Sequence, residues 1–428
     1  MLREPRQVPK STLLADSLKQ SESLPLLVSG QGVFIFRSEK ESLEGMNVVF
    51  LNKDGTDGVD FLLTSTGVTA TRTESRDKYI DPDNVSGLTD LPGAYYWISL
   101  DSQNQRFYVG VGEARLDTII YTFTFPPRDP KDTSLWEENK RFLESLDHLK
   151  ADSYKVRGMR LLRDPITTKV ALNVKGRNEI TMTDIAEARC IPVANMSVVC
   201  QQMHQCVSGA KFVLDDADFP EFSKAIEYSI ATPGCWCYDT LQEKKNEFNP
   251  DDPNIDGTYL RITLGDNDGE SPGIPYVMEI WPIGHYSPIH NHAGANAVIR
   301  VLRGTINVSL YPFLCKDAEK VEPFAVTDFK KDDVTWITPY LNQVHMLKNL
   351  DTSKETCITI QCYLYDKMED MHYDYFDYVS EKGSIEQYEP DSDAEFMEFK
   401  NTMKREWELR NAGESHMSSC FGWSRQSI

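Results

Sequence analysis

The chain of 428 residues is 40% hydrophobic and 26% charged, which is the composition of a folded soluble protein rather than a disordered one. Its length exceeds that of one ordinary domain and predicts two folded units with connections. The formal net charge of −21 repels nucleic acid and anionic membrane surfaces, so we exclude both as partners.

The cysteines and the N-terminal segment indicate the compartment. Nine cysteines occur without a C-x-x-C pair, which predicts free thiols in a reducing environment rather than a zinc knuckle or a redox dithiol. The N-terminal segment lacks the apolar run of a secretory signal, and no stretch approaches the ~18 apolar residues of a membrane-spanning helix. We therefore expect a cytoplasmic protein.

The first part of the chain is read as an arm followed by strands. Residues 1–25 are polar and rich in serine and lysine, and we expect them to form a mobile arm. Residues 26–127 contain short β-branched or aromatic segments separated by turn residues, which predicts an antiparallel β-sandwich. The predicted strands cover 33–36, 47–51, 60–65, 68–73, 95–100, 106–112 and 117–125.

Residues 128–199 are interpreted as a connecting region of uncertain structure. Pro126, Pro127 and Pro130 interrupt the strand pattern, and apolar residues then recur at helical spacing over 136–150. The segment 155–200 mixes helical and strand-like pieces. Two helical patterns follow, near 200–210 and over 219–231, and the second has a proline in its first turn.

From residue 259 onward short strands return, separated by glycine, proline and asparagine. They predict a jelly-roll or cupin barrel over 200–385, a fold that closes its sheets and can hold a small ligand. The expected fold class is therefore mainly β, with an N-terminal antiparallel β-sandwich and a C-terminal cupin (jelly-roll) barrel preceded by helices. Residues 386–428 are predicted to form an acidic C-terminal tail, with a helix near 390–410 and disorder over the last fifteen residues.

Three histidines of the barrel segment predict a metal site. His290 and His292 stand one residue apart, and His345 follows in a later predicted strand. Because alternate residues of a strand point to the same side, we expect the first two to project together into the barrel and the third to complete one face of the site. Three imidazoles leave coordination positions open for chemistry with O₂ or for hydrolysis, and they suit zinc, copper, iron and nickel. His285 precedes the motif in a turn, and we leave it out of the ligand set.

The surrounding residues resemble the two motifs of cupin proteins. Gly284 and Gly304 flank the histidine pair, and Asn349 follows His345 at the i+4 position. Ala297 stands where an acidic ligand is usual, which favours a three-histidine iron site over one that includes a glutamate. The alternative is a barrel without a metal, whose histidines are packed or surface groups.

An upstream element narrows the resemblance. A Y-x-R element, Tyr259-Leu-Arg261, precedes the run Ser287-Pro-Ile-His290-Asn-His292. Over about residues 200–375 this arrangement resembles the thiol dioxygenases, in particular cysteine dioxygenase. The resemblance implies an Fe(II) cofactor held by His290, His292 and His345.

The same resemblance implies roles for three further residues. Arg261 would bind the substrate carboxylate, a task that suits the planar fork of a guanidinium. Tyr259 would assist at the substrate. Tyr363 would act in catalysis by donating a hydrogen bond to bound oxygen, or would be a core aromatic with a satisfied hydroxyl.

The chain departs from the family pattern at three positions. Animal members carry a cysteine, cross-linked to a tyrosine, where this chain has Ala297, so that thioether cannot form. Gln361 replaces an outer histidine of the S-x-H-x-Y run, which reads Thr359-Ile-Gln361-Cys-Tyr363 here. Cys362 should face away from its neighbour Tyr363 and cannot substitute for the missing cysteine.

The hypothesis that follows is an iron-dependent dioxygenase that oxidises a small thiol, with L-cysteine favoured, to its sulfinic acid with O₂. The thiolate and the amine of the substrate would take two open metal positions and O₂ the third. The alternatives are a dioxygenase of cysteamine or 3-mercaptopropionate, a non-catalytic metal- or ligand-binding cupin module, and a zinc hydrolase. The N-terminal domain is expected to bind an unknown ligand or protein, or to be a structural appendage. Its segment 95–113 weakly resembles the farnesoic-acid-methyltransferase-like β-domain.

Overall fold

The structure, a computed structural model, describes residues 12–13, 23–38, 45–75, 94–126, 128–151, 156–264, 277–316, 321–364 and 375–421. The chain divides into an N-terminal unit of residues 1–170 with 312–324, and a barrel unit of residues 171–311 with 325–428. Both units consist mainly of β-strands, as the sequence predicts.

The N-terminal unit is an antiparallel sandwich of two sheets. One sheet has the order β1-β11-β3-β7-β8-β9 and the other β2-β10-β4-β5-β6. The rings of Phe50, Phe61 and Phe107 meet in the core, and they come from strands of both sheets. The strands are β1 (Thr12–Leu13), β2 (Leu24–Pro25), β3 (Gln31–Ser38), β4 (Met46–Asn52), β5 (Gly58–Thr64), β6 (Gly67–Arg72), β7 (Tyr95–Asp101), β8 (Arg106–Val111), β9 (Ile119–Thr124), β10 (Leu146–Ala151) and β11 (Val156–Leu162).

The sandwich extends beyond the predicted boundaries at both ends. Thr12–Leu13 and Leu24–Pro25 pair with β11 and β10, so these parts of the predicted arm belong to the sheets. Residues 1–11 and 14–22 lie outside the described residues. The region predicted as a connection supplies the helix α1 (Ser134–Ser145) and the strands β10 and β11.

The helix predicted over 136–150 is wrong in its last third. Leu146 and Leu149 fit the helical period, but both are buried in β10, whose pairing with β4 shifts its register between Leu146 and His148. Tertiary pairing in the sheet thus overrides the local helical preference of this segment.

The barrel unit has two facing sheets. The larger has the order β13-β12-β19-β16-β21-β15-β14-β24 and the smaller β18-β17-β20, and a hairpin, β22-β23, lies after them. Apolar side chains of both sheets line one internal pocket, as expected for a jelly-roll barrel. The strands are β12 (Asn173–Lys175), β13 (Cys190–Pro192), β14 (Leu260–Thr263), β15 (Val277–Trp281), β16 (Asn296–Arg303), β17 (Thr305–Tyr311), β18 (Ala325–Lys330), β19 (Val334–Ile337), β20 (Val344–Lys348), β21 (Cys357–Leu364), β22 (Phe376–Val379), β23 (Ile385–Tyr388) and β24 (Ala394–Glu395).

Helices accompany the barrel at both ends of its sequence. They are α2 (Met182–Ala186), α3 (Val198–Val207), α4 (Phe222–Ala231), α5 (Trp236–Lys244) and α6 (Phe396–Phe421). The last of these starts within the predicted acidic tail and packs on α4, with Phe399, Met403 and Trp407 buried at i, i+4 and i+8. The helix continues to Phe421, within the segment predicted as disordered, and residues 422–428 lie outside the described part.

Among the described residues, no helix combines the length and apolarity that a membrane crossing requires.

Candidate metal centre

The three predicted ligands converge in the barrel unit. The ligand nitrogens of His290, His292 and His345 all lie within 4.8 Å of one another. The Nε2 atoms of His292 and His345 are 3.0 Å apart. Two nitrogens that bind one ion at ~2.1 Å and at a right angle are separated by about 3.0 Å, so this spacing is that of neighbouring ligands on one metal.

Contrary to the prediction, the histidine pair does not lie in a regular strand. Residues 282–295 form an irregular connection between β15 and β16, because Pro282, Pro288 and the positive φ of Gly284 (86°) interrupt regular pairing. His290 nevertheless pairs with His345 of β20 through reciprocal backbone hydrogen bonds of 3.0 and 3.1 Å. This bridge, rather than strand alternation, holds the imidazoles together.

The backbone sets the orientation of two of the rings. Nδ1 of His290 lies 3.0 Å from the carbonyl oxygen of Pro288, and Nδ1 of His345 lies 3.3 Å from that of Asn342. A carbonyl oxygen can only accept, so each Nδ1 carries the proton and each Nε2 presents a lone pair. The donor set therefore fits a metal cation.

Burial keeps the three imidazoles neutral, which is the state that binds a metal. Burial lowers the pKa of His290 to about 4 and that of His345 to about 3. The pKa of His292 is lowered well below its usual value by burial and by the other two histidines. The cluster is thus ready to accept a cation at neutral pH without first losing protons.

We expect the metal-free protein to lose stability as pH falls from about 6.5 to about 4. Unfolded histidine titrates near 6.5, whereas the pKa of folded His290 is about 4 and that of His345 about 3. The unfolded chain therefore binds more protons in this window, and acid favours unfolding by about 1.4 kcal/mol per unit of pKa difference.

Urea unfolding of metal-free protein between pH 4 and 8 measures this dependence. The double variant His290→Asn/His345→Asn should show a shallower loss toward acid than the unaltered chain. His204 and His285, whose pKa values burial also lowers, remain in both proteins and contribute equally. Identical pH slopes for the two proteins would contradict the prediction.

The residues that frame the cupin-like motifs have structural roles. Nδ1 of His285 hydrogen-bonds the carbonyl oxygen of Thr258 at 2.8 Å, and His285 is not a member of the cluster. Asn349 donates to the carbonyl oxygens of Trp281 and Glu355, which ties the loop before the histidines to the loop after β20. Both residues hold the connection that carries the ligands.

Arg261 and Tyr259 lie beside the cluster, as parts of the segment that leads into and forms β14. Arg261 is 2% exposed, and its Nε has no hydrogen-bond partner among the described residues. Tyr259 is buried and stacks on Trp281 with ring centroids 4.2 Å apart. Both line a small pocket that His290 also lines.

A chain of three buried polar groups lies on the neighbouring strands. The hydroxyl of Tyr363 donates to Oε1 of Gln361, and Nε2 of Gln361 donates to Oε2 of Glu279. The ring of Tyr363 stacks on His292 with centroids 5.4 Å apart. Burial raises the pKa of Glu279 to about 7, while the charge of Arg261 and the hydrogen bond from Gln361 lower it.

Glu279 is a site residue that the sequence reasoning missed. It stands alone as a charged residue in the strand Val-Met-Glu-Ile-Trp, all of whose residues are buried. A single carboxylate in an apolar strand is the signal that could have found it, because a buried charge is retained where it has a partner or a task.

The three positions at which the sequence departs from the resemblance lie in β16 and β21. Ala297 pairs directly with Tyr363 across β16 and β21, so an alanine methyl group faces the tyrosine. Cys362 is buried on the opposite side of β21, next to Cys206 of α3. Burial and the neighbouring Cys206 raise the pKa of the Cys362 thiol. A thioether to Tyr363 is therefore absent from this site.

Two pockets meet at the cluster. One extends into the barrel and is mostly apolar, with Val301, Val308 and Phe329 in its wall. The other, which contains Arg261, opens toward the hairpin β22–β23. There Phe376 packs on His292 with ring centroids 4.8 Å apart. His290 and His292 thus line both pockets, and aromatic rings line the second one.

The known structures to which the chain is similar match it at low identity and over parts of its length. No family model matches the chain. The chain is similar to the Cnp3 cupin domain of Schizosaccharomyces pombe (16% identity over 26% of this chain and 68% of that one, TM-score 0.20). It is similar to a cupin-like protein of Thermotoga maritima (16%, 29% and 77%, TM-score 0.21) and to a cupin 2 domain-containing protein of Halorhodospira halophila (19%, 24% and 60%, TM-score 0.17).

Identities and TM-scores this low carry no argument about activity. The neighbours are cupin-domain proteins. The chain itself has two facing β-sheets around a buried cluster of three histidines that can hold a metal ion. The C-terminal unit thus has the architecture of a jelly-roll barrel with a cluster of three histidines that can hold a metal ion.

Proposed function

We propose that the protein is an Fe(II)-dependent dioxygenase that converts a small thiol, L-cysteine by preference, to its sulfinic acid with O₂. The observation that carries the proposal is the pairing of two features in one pocket. His290 and His292 of the three-imidazole cluster line it, and so does the buried Arg261, whose Nε has no hydrogen-bond partner among the described residues.

The cluster is suited to a metal ion that keeps some coordination positions open. Three protein ligands leave positions for exogenous ligands, and ferrous iron at such a site would mediate electron transfer from the thiolate sulfur, which is oxidised, to O₂. The protein contributes neutral ligands, a closed pocket and a dry surround. Burial of His292 and His345 (3% and 6% exposed) excludes bulk water from this side of the site.

Arg261 would orient the substrate by its carboxylate. A guanidinium buried without a protein partner for its Nε is costly unless a ligand completes its hydrogen bonds. Holding the far end of the thiol at this point reduces the entropy cost of aligning sulfur with the metal. This favours L-cysteine or 3-mercaptopropionate over cysteamine, which has no carboxylate.

Tyr363 would serve as a protonated phenol beside the site. Burial and the nearby Glu279 raise its pKa well above the usual value, so the hydroxyl keeps its proton at neutral pH. That proton is directed to Gln361. Tyr363 can therefore donate toward a bound ligand only by exchanging its hydrogen bond with Gln361. Tyr259 forms the apolar wall opposite, through its stack on Trp281.

Metal analysis of the purified protein, combined with O₂ uptake across three thiols, tests the proposal. We expect about one iron per chain, O₂ consumption that depends on added L-cysteine, and a sulfinic acid product. Iron without O₂ uptake from L-cysteine, 3-mercaptopropionate or cysteamine would identify a binding module instead. Zinc with no O₂ uptake after iron loading would identify a hydrolytic or structural site.

A further inference from the structure

We infer that Glu279 receives the ammonium group of the substrate, so that the pocket selects a thiol carrying both a carboxylate and an ammonium. This inference rests on the proposed function and deepens it. It assigns the substrate amine to a protein carboxylate instead of to a metal position.

The register of the sheet places the two opposite charges side by side. Arg261 of β14 and Glu279 of β15 are direct cross-strand partners, so both side chains leave the same face of the sheet. Both residues line the small pocket beside the histidines. They are 2% and 5% exposed, respectively, so that face is closed to bulk water.

The two charged groups influence each other's pKa, but neither has all of its polar atoms occupied by the other. Nε of Arg261 is without a partner, and Oε2 of Glu279 accepts its hydrogen bond from Gln361. Within the part of the chain that the structure describes, no ion pair of 4.0 Å or less joins them, although they face each other across the sheet. A cation and an anion that line one pocket are complementary to the two charges of a zwitterion.

The surroundings strengthen this complementarity. The pocket wall includes the rings of Phe248, Tyr378 and Tyr388, and charge interactions are strong in such a low-dielectric space. Aromatic faces also attract an ammonium group. Burial raises the pKa of Glu279 to about 7, and an ammonium at this carboxylate would favour its charged form in the same way as Arg261 does.

Equilibrium binding to the metal-free protein separates this inference from amine binding at the metal. Calorimetry under anaerobic conditions would use L-cysteine, 3-mercaptopropionate and cysteamine. Compared with L-cysteine, 3-mercaptopropionate lacks the ammonium group and cysteamine lacks the carboxylate. We expect L-cysteine to bind at least about 10-fold more tightly than either of the other two, the range for a hydrogen bond to a charged group. Equal binding of L-cysteine and 3-mercaptopropionate by metal-free protein would overturn the inference.

The variant Glu279→Gln preserves the shape of the side chain and removes its charge. We expect it to bind 3-mercaptopropionate no less tightly and to lose the preference for L-cysteine. Glu355→Gln is the matched control, because it removes a surface carboxylate that pairs with Arg303, and it should keep the preference. A Glu279→Gln protein that still prefers L-cysteine would refute the role.

The two proposals fail in distinguishable ways. If Glu279→Gln does not fold, which far-UV circular dichroism would report, the three-ligand comparison on the unaltered chain still decides the inference. If the iron-loaded protein oxidises no thiol, the proposed function fails, whereas a preference of the metal-free protein for L-cysteine would still assign Glu279 as an ammonium site.

Discussion

Replacing His292 with alanine should leave the barrel folded and abolish its metal binding. His292 contributes one of two Nε2 atoms that lie 3.0 Å apart, and its loss leaves a two-ligand site. Changes to residues that merely orient metal ligands already reduce metal affinity by about 10- to 100-fold, so loss of a ligand itself should reduce it by more than about 100-fold. Thiol-dependent O₂ uptake should fall to background.

Inductively coupled plasma analysis and equilibrium competition with a chelator measure the effect of His292→Ala. The matched control is His285→Ala, which removes another buried histidine seven positions earlier whose Nδ1 binds the carbonyl oxygen of Thr258. This control should retain metal even if it loses stability. Full metal occupancy in His292→Ala, or loss of metal in the control alone, would show that the cluster is not the metal site.

Replacing Arg261 with alanine should lower kcat/KM for L-cysteine by about 100-fold or more while leaving metal content unchanged. The estimate corresponds to two charge-assisted hydrogen bonds to a carboxylate at about 1.5–3 kcal/mol each. Arg261 is not a member of the histidine cluster, and its cross-strand partner is Glu279. The loss should therefore appear in substrate use and not in iron binding.

The Arg261→Ala comparison uses two substrates and a second variant. Cysteamine has no carboxylate, so its turnover should fall much less than that of L-cysteine. Arg261→Lys should restore part of the L-cysteine activity, since a lysine keeps the charge but cannot bind both oxygens in the plane of a fork. Unchanged turnover of L-cysteine by Arg261→Ala would remove this residue from the substrate site.

Spacing along the sequence predicted much of the candidate centre. The H-x-H pair and a later histidine sufficed to find the cluster, and the Y-x-R element placed Tyr259 and Arg261 next to it. The predicted reason was wrong in one respect, because the histidine pair lies in an irregular connection held by a backbone bridge to His345. Such a bridge joins distant parts of the chain, and no local pattern reveals it.

Other features were outside the reach of local patterns. Glu279 is one acidic residue in an apolar strand, and its opposition to Arg261 depends on a pairing register that the sequence does not display. The segment 146–151 satisfied a helical period and became a strand because a neighbouring strand was available for pairing. Helix α6 was expected only as part of a tail, because its buried face can be recognised only when its packing against α4 is known.

The N-terminal unit is discontinuous along the chain, because residues 312–324, which separate β17 from β18, belong to it. During synthesis the ribosome must therefore produce His290 and His292 before residues 312–324, the last segment of the N-terminal unit. Neither half can be expressed intact by cutting the gene at a single point. A fragment containing the barrel unit would need a short linker in place of residues 312–324. A fragment containing the sandwich would need this segment attached to it.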